Sequence, residues 1–254
     1  MKITAKSEDR RLLATMTNEP FQPVRLYYSI PDRSFVTEKL RALKCMVDVP
    51  PEQCWQWLFH AEAASLRFAA GYDNVPKEKR PIVLGRIRFP KSDGMTLDTN
   101  SILRAIEGAR FFAPRFGPEV VAMRCRVVNR YFAAEEGRLD ELMKALDQNV
   151  IVIDPREAEA AFRREFRGVR TTEDAARSLA ESLDRRLQSK DDVPMVEDFP
   201  LAPEEETPEF HDLATGLHLR LIRAHEHWRG NTHLTLAAII ARTVEENARA
   251  PDSH

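Results

Sequence analysis

The sequence predicts an α+β protein, with an N-terminal mixed β-sheet domain followed by helices and a C-terminal helical hairpin. Three observations predict it. Short apolar runs that alternate with period two fill residues 24–132. Beyond residue 138 the apolar residues recur every three or four positions instead. Charge is also segregated. Between Lys77 and Arg130 twelve Lys/Arg stand against five Asp/Glu, whereas residues 190–209 carry eight carboxylates and one Lys, on a chain whose overall net charge is −2.

Taken in order, residues 1–20 are polar and read as a tail or short helix. Val24–Ile30 is rich in β-branched and aromatic residues and reads as a strand. Pro31-Asp32 turns the chain into a helix over 34–43, with Val36, Leu40 and Leu43 on one face. Cys45–Val49 and Cys54–Phe59 flank Pro50-Pro51-Glu52-Gln53 and read as a hairpin. Ala61–Ala70 is alanine-rich and reads as helix, and Ile82–Phe89 as the next strand. Strand, helix, strand, strand, helix, strand is the βαββαβ order of the ferredoxin-like arrangement, here extended by one more helix and strand.

The extension opens with a loop containing Lys91, Asp93 and Gly94, then a helix capped by Thr99 or Asn100. The helix carries Leu103, Ile106 and Arg110, flanked by Ile102, Ala109 and Phe112, and ends at Pro114 and Gly117-Pro118. A strand over 120–132 puts Arg124, Arg126, Val128 and Arg130 on one face and Val121, Met123, Cys125, Val127 and Tyr131 on the other.

The sheet domain thus spans 21–135 and a helical region 138–189. That region has helices at 138–147, 155–166 and 171–188, the second launched by Asp154-Pro155-Arg156-Glu157. Residues 190–208, with Pro194, Pro200 and Pro203, read as an acidic linker, and 209–250 as the helical hairpin broken at Gly230-Asn231-Thr232. The hairpin's first helix has apolar residues at 210, 213, 217, 221, 224 and 228. Leu219, Ile222 and Ile239 lie off its seams and must pack either on the sheet domain or on a second chain.

Composition excludes several classes. With 43% hydrophobic and 31% charged residues the chain is of ordinary globular type. Cys45, Cys54 and Cys125 are too few for a disulfide framework, and the reducing cytoplasm is the expected compartment. The N-terminus has no signal-like apolar core, and no run approaches the ~20 apolar residues of a membrane span, so no membrane association is expected. P-loop, GxGxxG, GxSxG and HExxH motifs are absent, and no cofactor or metal is expected.

The candidate site is the arginine-bearing sheet face: Arg86, Arg88, Arg124, Arg126 and Arg130. Guanidinium groups present planar, forked donors that suit phosphate and carboxylate, and Tyr131 could stack beside them. The same arginines could instead pair with carboxylates of a covering helix or lie solvated. The acidic segment 190–206 could also dock on them, since opposite charges sit on one chain. The expected function is a cytoplasmic binding or regulatory protein that contacts an acidic partner, nucleic acid or protein, through this face. A homodimer is an additional possibility.

The alternatives are a hydrolase or metal-dependent enzyme using the C-terminal histidines, and a helical-hairpin oligomerisation module without ligand. His211, His218 and His225 are spaced by seven, about 10 Å per step along a helix, too far apart to share one ion. His227 and His233 complete the cluster. Asp154 reads as a helix N-cap, and Cys54 and His60, six residues apart on one strand, lie too far apart to react together.

Overall fold

A computed structural model describes residues 10–90, 94–148, 195–201, 209–236, 238–240 and 242. The class is α+β. Seven strands form one sheet: β1 (Val24–Ser29), β2 (Met46–Val49), β3 (Cys54–Leu58), β4 (Val83–Arg88), β5 (Met95–Thr99), β6 (Val121–Val128) and β7 (Val196–Pro200). Their spatial order is β2-β3-β4-β5-β1-β6-β7, and every pairing is antiparallel. The helices are α1 (Arg33–Arg41), α2 (Ile102–Phe116), α3 (Leu139–Met143) and α4 (Glu209–Trp228).

Local chemistry explains the elements. Asp32 caps α1 by accepting the Phe35 amide at 2.8 Å, and Lys39 and Arg41 stand in its last turn, where the helix dipole favours cations. The β2–β3 hairpin forms as expected, turning through Pro50–Glu52 with Gln53 left-handed. Ser101, not Thr99 or Asn100, caps α2, because the chain up to Thr99 is already strand β5. α2 runs past Pro114 to Phe116, and Gly117, at φ +84°, ends it.

The split crossover exists, but through other elements than those expected. Residues 61–70, read as helix, contain only the 3₁₀ turn Ala61–Ala63. The second crossover is α2, which links β5 to β6 with β1 between them. β5, read as loop and helix cap, is the strand that joins the two halves of the sheet.

The main core lies between one sheet face and the helices. α2 lies across β1, β4 and β5, with α1 and α4 beside it. Trp57 packs with Phe111 and Phe112, and Leu26, Leu97 and Leu217 are fully buried. Gly108 permits the close approach: a Cβ there would stand 2.8 Å from Leu97 Cδ2 and 3.1 Å from Trp57 Cζ3. α4 contributes Leu213 and Leu217 to this core, while Ile222 and Ile240 stay exposed. Ile239 is buried.

A bulge in β6 corrects its expected face pattern. Tyr27 pairs with Arg124 but Tyr28 pairs with Ala122, so Met123 is the extra residue. Ala122 therefore enters the core and Met123 is 45% exposed.

Two further expectations change. Residues 10–20, read as part of a polar tail, are docked. Leu13 donates to the Phe132 carbonyl at 2.8 Å, and Glu19 lies buried beside Arg104, with Nε 3.5 Å from Oε2. Thr15 and Thr17 hydroxyls also donate to Glu19, and Arg104 donates to Thr17 Oγ1 and the Val83 carbonyl. Burial pulls the Arg104 pKa down to about 10, against the pull of Glu19. The second change is that 196–200, inside the expected linker, forms edge strand β7. Val196 enters a second cluster with Phe21, Val128, Phe132, Ala145 and Leu146, below the sheet face that the main helices leave open. Asp154, His211 and the expected helices at 155–166 and 171–188 lie outside the residues or side chains described.

No helix among the described residues is long and apolar enough to cross a membrane.

Candidate anion-binding face

Register assembles the open face. Residues directly opposite in antiparallel strands share a face, so the pairings can be followed across the sheet. One row runs Val47, Gln56, Arg86, Asp98, Arg25, Arg126, Asp198. The adjacent row runs Val49, Cys54, Arg88, Thr96, Tyr27, Arg124. The structure thus gathers Arg86, Arg88, Arg124 and Arg126 on one surface, as their alternation implied. Arg130 is not among them. It lies past the end of β6, pairs with Glu136 at 2.8 Å and stacks on Phe132. Tyr131 points the other way, its hydroxyl donating to the Leu221 carbonyl of α4 at 3.3 Å.

Sequence reasoning missed three residues that decide the chemistry. Arg25 sits at the centre of the first row. Asp98 accepts from Arg25 Nε at 2.5 Å and Nη2 at 2.9 Å, and from Arg88 Nη1 at 2.9 Å. Asp198 accepts from Arg126 Nε at 2.6 Å and Nη2 at 2.9 Å, and from Arg124 Nη1 at 2.8 Å. Both aspartates are buried between their arginines. Alternation within VRLYYS placed Arg25 on this face, and its lone charge in an apolar strand was the available signal. Asp98 and Asp198 gave none, because their segments did not read as strands.

The cations are thereby largely matched. Arg25 also reaches Asp147 at 2.8 Å, and Arg86 lies 3.5 Å from Glu52. Burial pulls the Arg25 pKa down, but Asp98 and then Asp147 more than offset it, so it is held above the ordinary value. Hydrogen bonds to Asp198 raise Arg126 against its burial. Arg126 Nη1 donates to the Leu146 carbonyl at 2.7 Å, tying the turn after α3 to the sheet. This face therefore consists of arginines bridged by carboxylates, and the chain's acidic segment supplies one of those carboxylates, Asp198.

Three arginines keep spare capacity among the described residues. Arg86 meets Glu52 only at 3.5 Å and is 32% exposed. Arg88 and Arg124 each donate through Nη1 alone, and their side chains are 39% and 30% exposed. Both line an open groove of about 740 Å³, with Tyr27, Thr96 and Met123 between them and Glu52 and Asp147 on the rim. The Arg124 guanidinium lies 3.9 Å over the Tyr27 ring centroid, a cation–π contact. A second groove of about 380 Å³ continues past Arg25 and Arg86 to Asp140 and Lys144.

Among the described residues the other candidates do not converge. His218 Nδ1 contacts the Ala214 carbonyl at 2.8 Å, His227 Nε2 contacts the Leu234 carbonyl at 3.0 Å, and His225 meets the Tyr131 ring. Among the described residues no three His, Cys, Asp or Glu side chains are placed to hold a metal ion. All three thiols are buried. Burial, then Glu62, pushes Cys45 up to about 12, and burial likewise raises Cys54, which lies 3.6 Å from Glu52. These thiols are far from the reactive thiolate state.

Comparison with protein-family models, with curated proteins and with solved structures finds no match to this chain.

Proposed function

We propose that this protein works by binding, and that its arginine-lined sheet face receives acidic groups of a partner. The observation that carries this reading is the pair Arg88 and Arg124: both line one groove, both are partly exposed, and each has donors left after its internal carboxylate is served. A carboxylate or phosphate arriving there gains charge-assisted hydrogen bonds from groups already oriented by Asp98, Asp198 and Tyr27, so little ordering cost is added. The expected reading of the face as a continuous cationic surface is narrowed accordingly, since Arg25 and Arg126 each give two or more donors to carboxylates of the chain itself and Arg86 lies beside Glu52 outside this groove.

The test is a fluorescence-anisotropy titration at low ionic strength with two labelled probes, an oligoglutamate peptide and oligodeoxythymidine. At least one probe is expected to bind the native protein, with affinity falling about tenfold or more in an R88A/R124A variant that retains its fold. Absence of binding by both probes, or equal binding by the variant, would overturn the proposal.

A further inference from the structure

The strand register that places Arg88 and Arg124 also sets the distance between them. Arg88 is on β4 and Arg124 on β6, with β5 and β1 between. Three inter-strand steps of ~4.8 Å separate their backbones by ~14 Å. Arg88 leans to Asp98 on β5, whereas Arg124 is held over β6 between Tyr27 on β1 and Asp198 on β7, so the guanidinium groups stand two to three inter-strand steps apart, roughly 10–14 Å. One carboxylate or phosphate cannot touch both.

The space between them is not cationic. Arg25 is taken by Asp98 and Asp147, and Asp147 and Glu52 stand 62% and 47% exposed on the rim. A nucleic-acid strand, with charges every ~3.4 Å in a duplex, would set intermediate phosphates against those carboxylates. What lies between the arginines is Thr96, Tyr27 and Met123, a surface for hydroxyl and apolar groups.

From this geometry we infer that the groove takes an extended acidic peptide segment lying across the strands, with two carboxylates four positions apart and small or apolar residues between. An extended chain advances ~3.3 Å per residue and alternates its side chains, so four residues span the gap of ~13 Å with both carboxylates on the sheet side. A helix would need its acidic residues seven or more positions apart. The inference rests on the anion-binding reading above and specifies its partner.

The test uses short labelled peptides with two glutamates in a Ser/Leu background, placed adjacent, four positions apart, or eight positions apart, alongside oligodeoxythymidine. The middle spacing is expected to bind about tenfold more tightly than the adjacent one, the gain from engaging a second charged donor. In R88A and in R124A that advantage should vanish, leaving a spacing-independent residual. Thermal melts check that each variant is folded, and R124Q replaces R124A should the latter unfold. Equal affinity at all spacings would overturn the inference, as would tighter binding of the oligonucleotide, which would favour a nucleic-acid partner on the same face. If no probe binds, the anion-binding reading itself falls, an outcome distinct from the other two.

Discussion

Asp198→Asn is the most informative single change. The side chain is 1% exposed and accepts three hydrogen bonds, two from Arg126 and one from Arg124. The amide removes the charge while keeping the shape, and it turns one acceptor into a donor aimed at guanidinium N–H groups. Losing one member of a buried ion pair costs ~3–5 kcal/mol. Arg124 is 30% exposed and can regain water, which lowers the figure to roughly 2–3 kcal/mol. For a chain of this size that is a fall in melting temperature of ~4–12 °C, or a drop in urea midpoint at unchanged slope. A double-mutant cycle with Arg126→Gln should return a coupling of at least about 1 kcal/mol. The same substitution removes the carboxylate that orients Arg124, so the advantage of the spaced acidic peptide over the adjacent one should shrink as stability falls. A loss of stability under about 0.5 kcal/mol would refute the bridging role. Deleting residues 190–206 would be a poorer experiment, because it removes strand β7 and buried Val196 and Leu201 along with the charge.

Two other changes test the frame that holds the face. Glu19→Gln should cost ~3 kcal/mol or more in denaturant titration, because Arg104 stays buried with its charge unmatched; replacing both Glu19 and Arg104 by Met should recover most of that loss, and a neutral Glu19→Gln would show that the pair carries no such burden. Gly108→Ala should destabilise by about 1–2 kcal/mol, since ~1–3 kcal/mol of overpacking against Leu97 and Trp57 outweighs the ~0.5–1 kcal/mol helix gain, and a raised melting temperature would show that α2 can back away from the sheet.

The sequence made the period-two strands legible wherever apolar and charged residues alternated cleanly. Arg86 and Arg88 in β4, and Arg124 and Arg126 in β6, reached the expected face for that reason. It failed where alternation was masked. MTLDT in β5 is buried on both sides, so its polar residues resembled loop and cap chemistry. VEDFP in β7 has two adjacent carboxylates and a proline, the composition of a linker. Yet Glu197 pairs with Arg220 of α4 on the helical side while Asp198 bridges two arginines on the other. Each carboxylate is explained by a partner more than twenty residues away in sequence, and local propensity cannot report such a partner. The bulge at Met123 is invisible for a related reason: only the partner strand shows which residue is supernumerary. The N-terminal segment misled through composition, since the polarity of Thr15, Thr17 and Glu19 is spent on buried Arg104 and not on water.

Counting charge along the chain also overstated the potential of the face. The basic stretch and the acidic stretch are not two separate fields, because Asp98 from the first and Asp198 from the second both lie between arginines. What the face could offer the proposed partner is the hydrogen-bond capacity left after those bridges form, at Arg88 and Arg124 in one groove and at Arg86 beside them. Binding of the proposed kind would gain little from total charge and much from spacing, because each aspartate fixes the direction of its guanidinium as well as cancelling its field. The carboxylates that weaken the case for a polyanion partner are therefore the same groups that make a spacing-selective peptide partner the better fit.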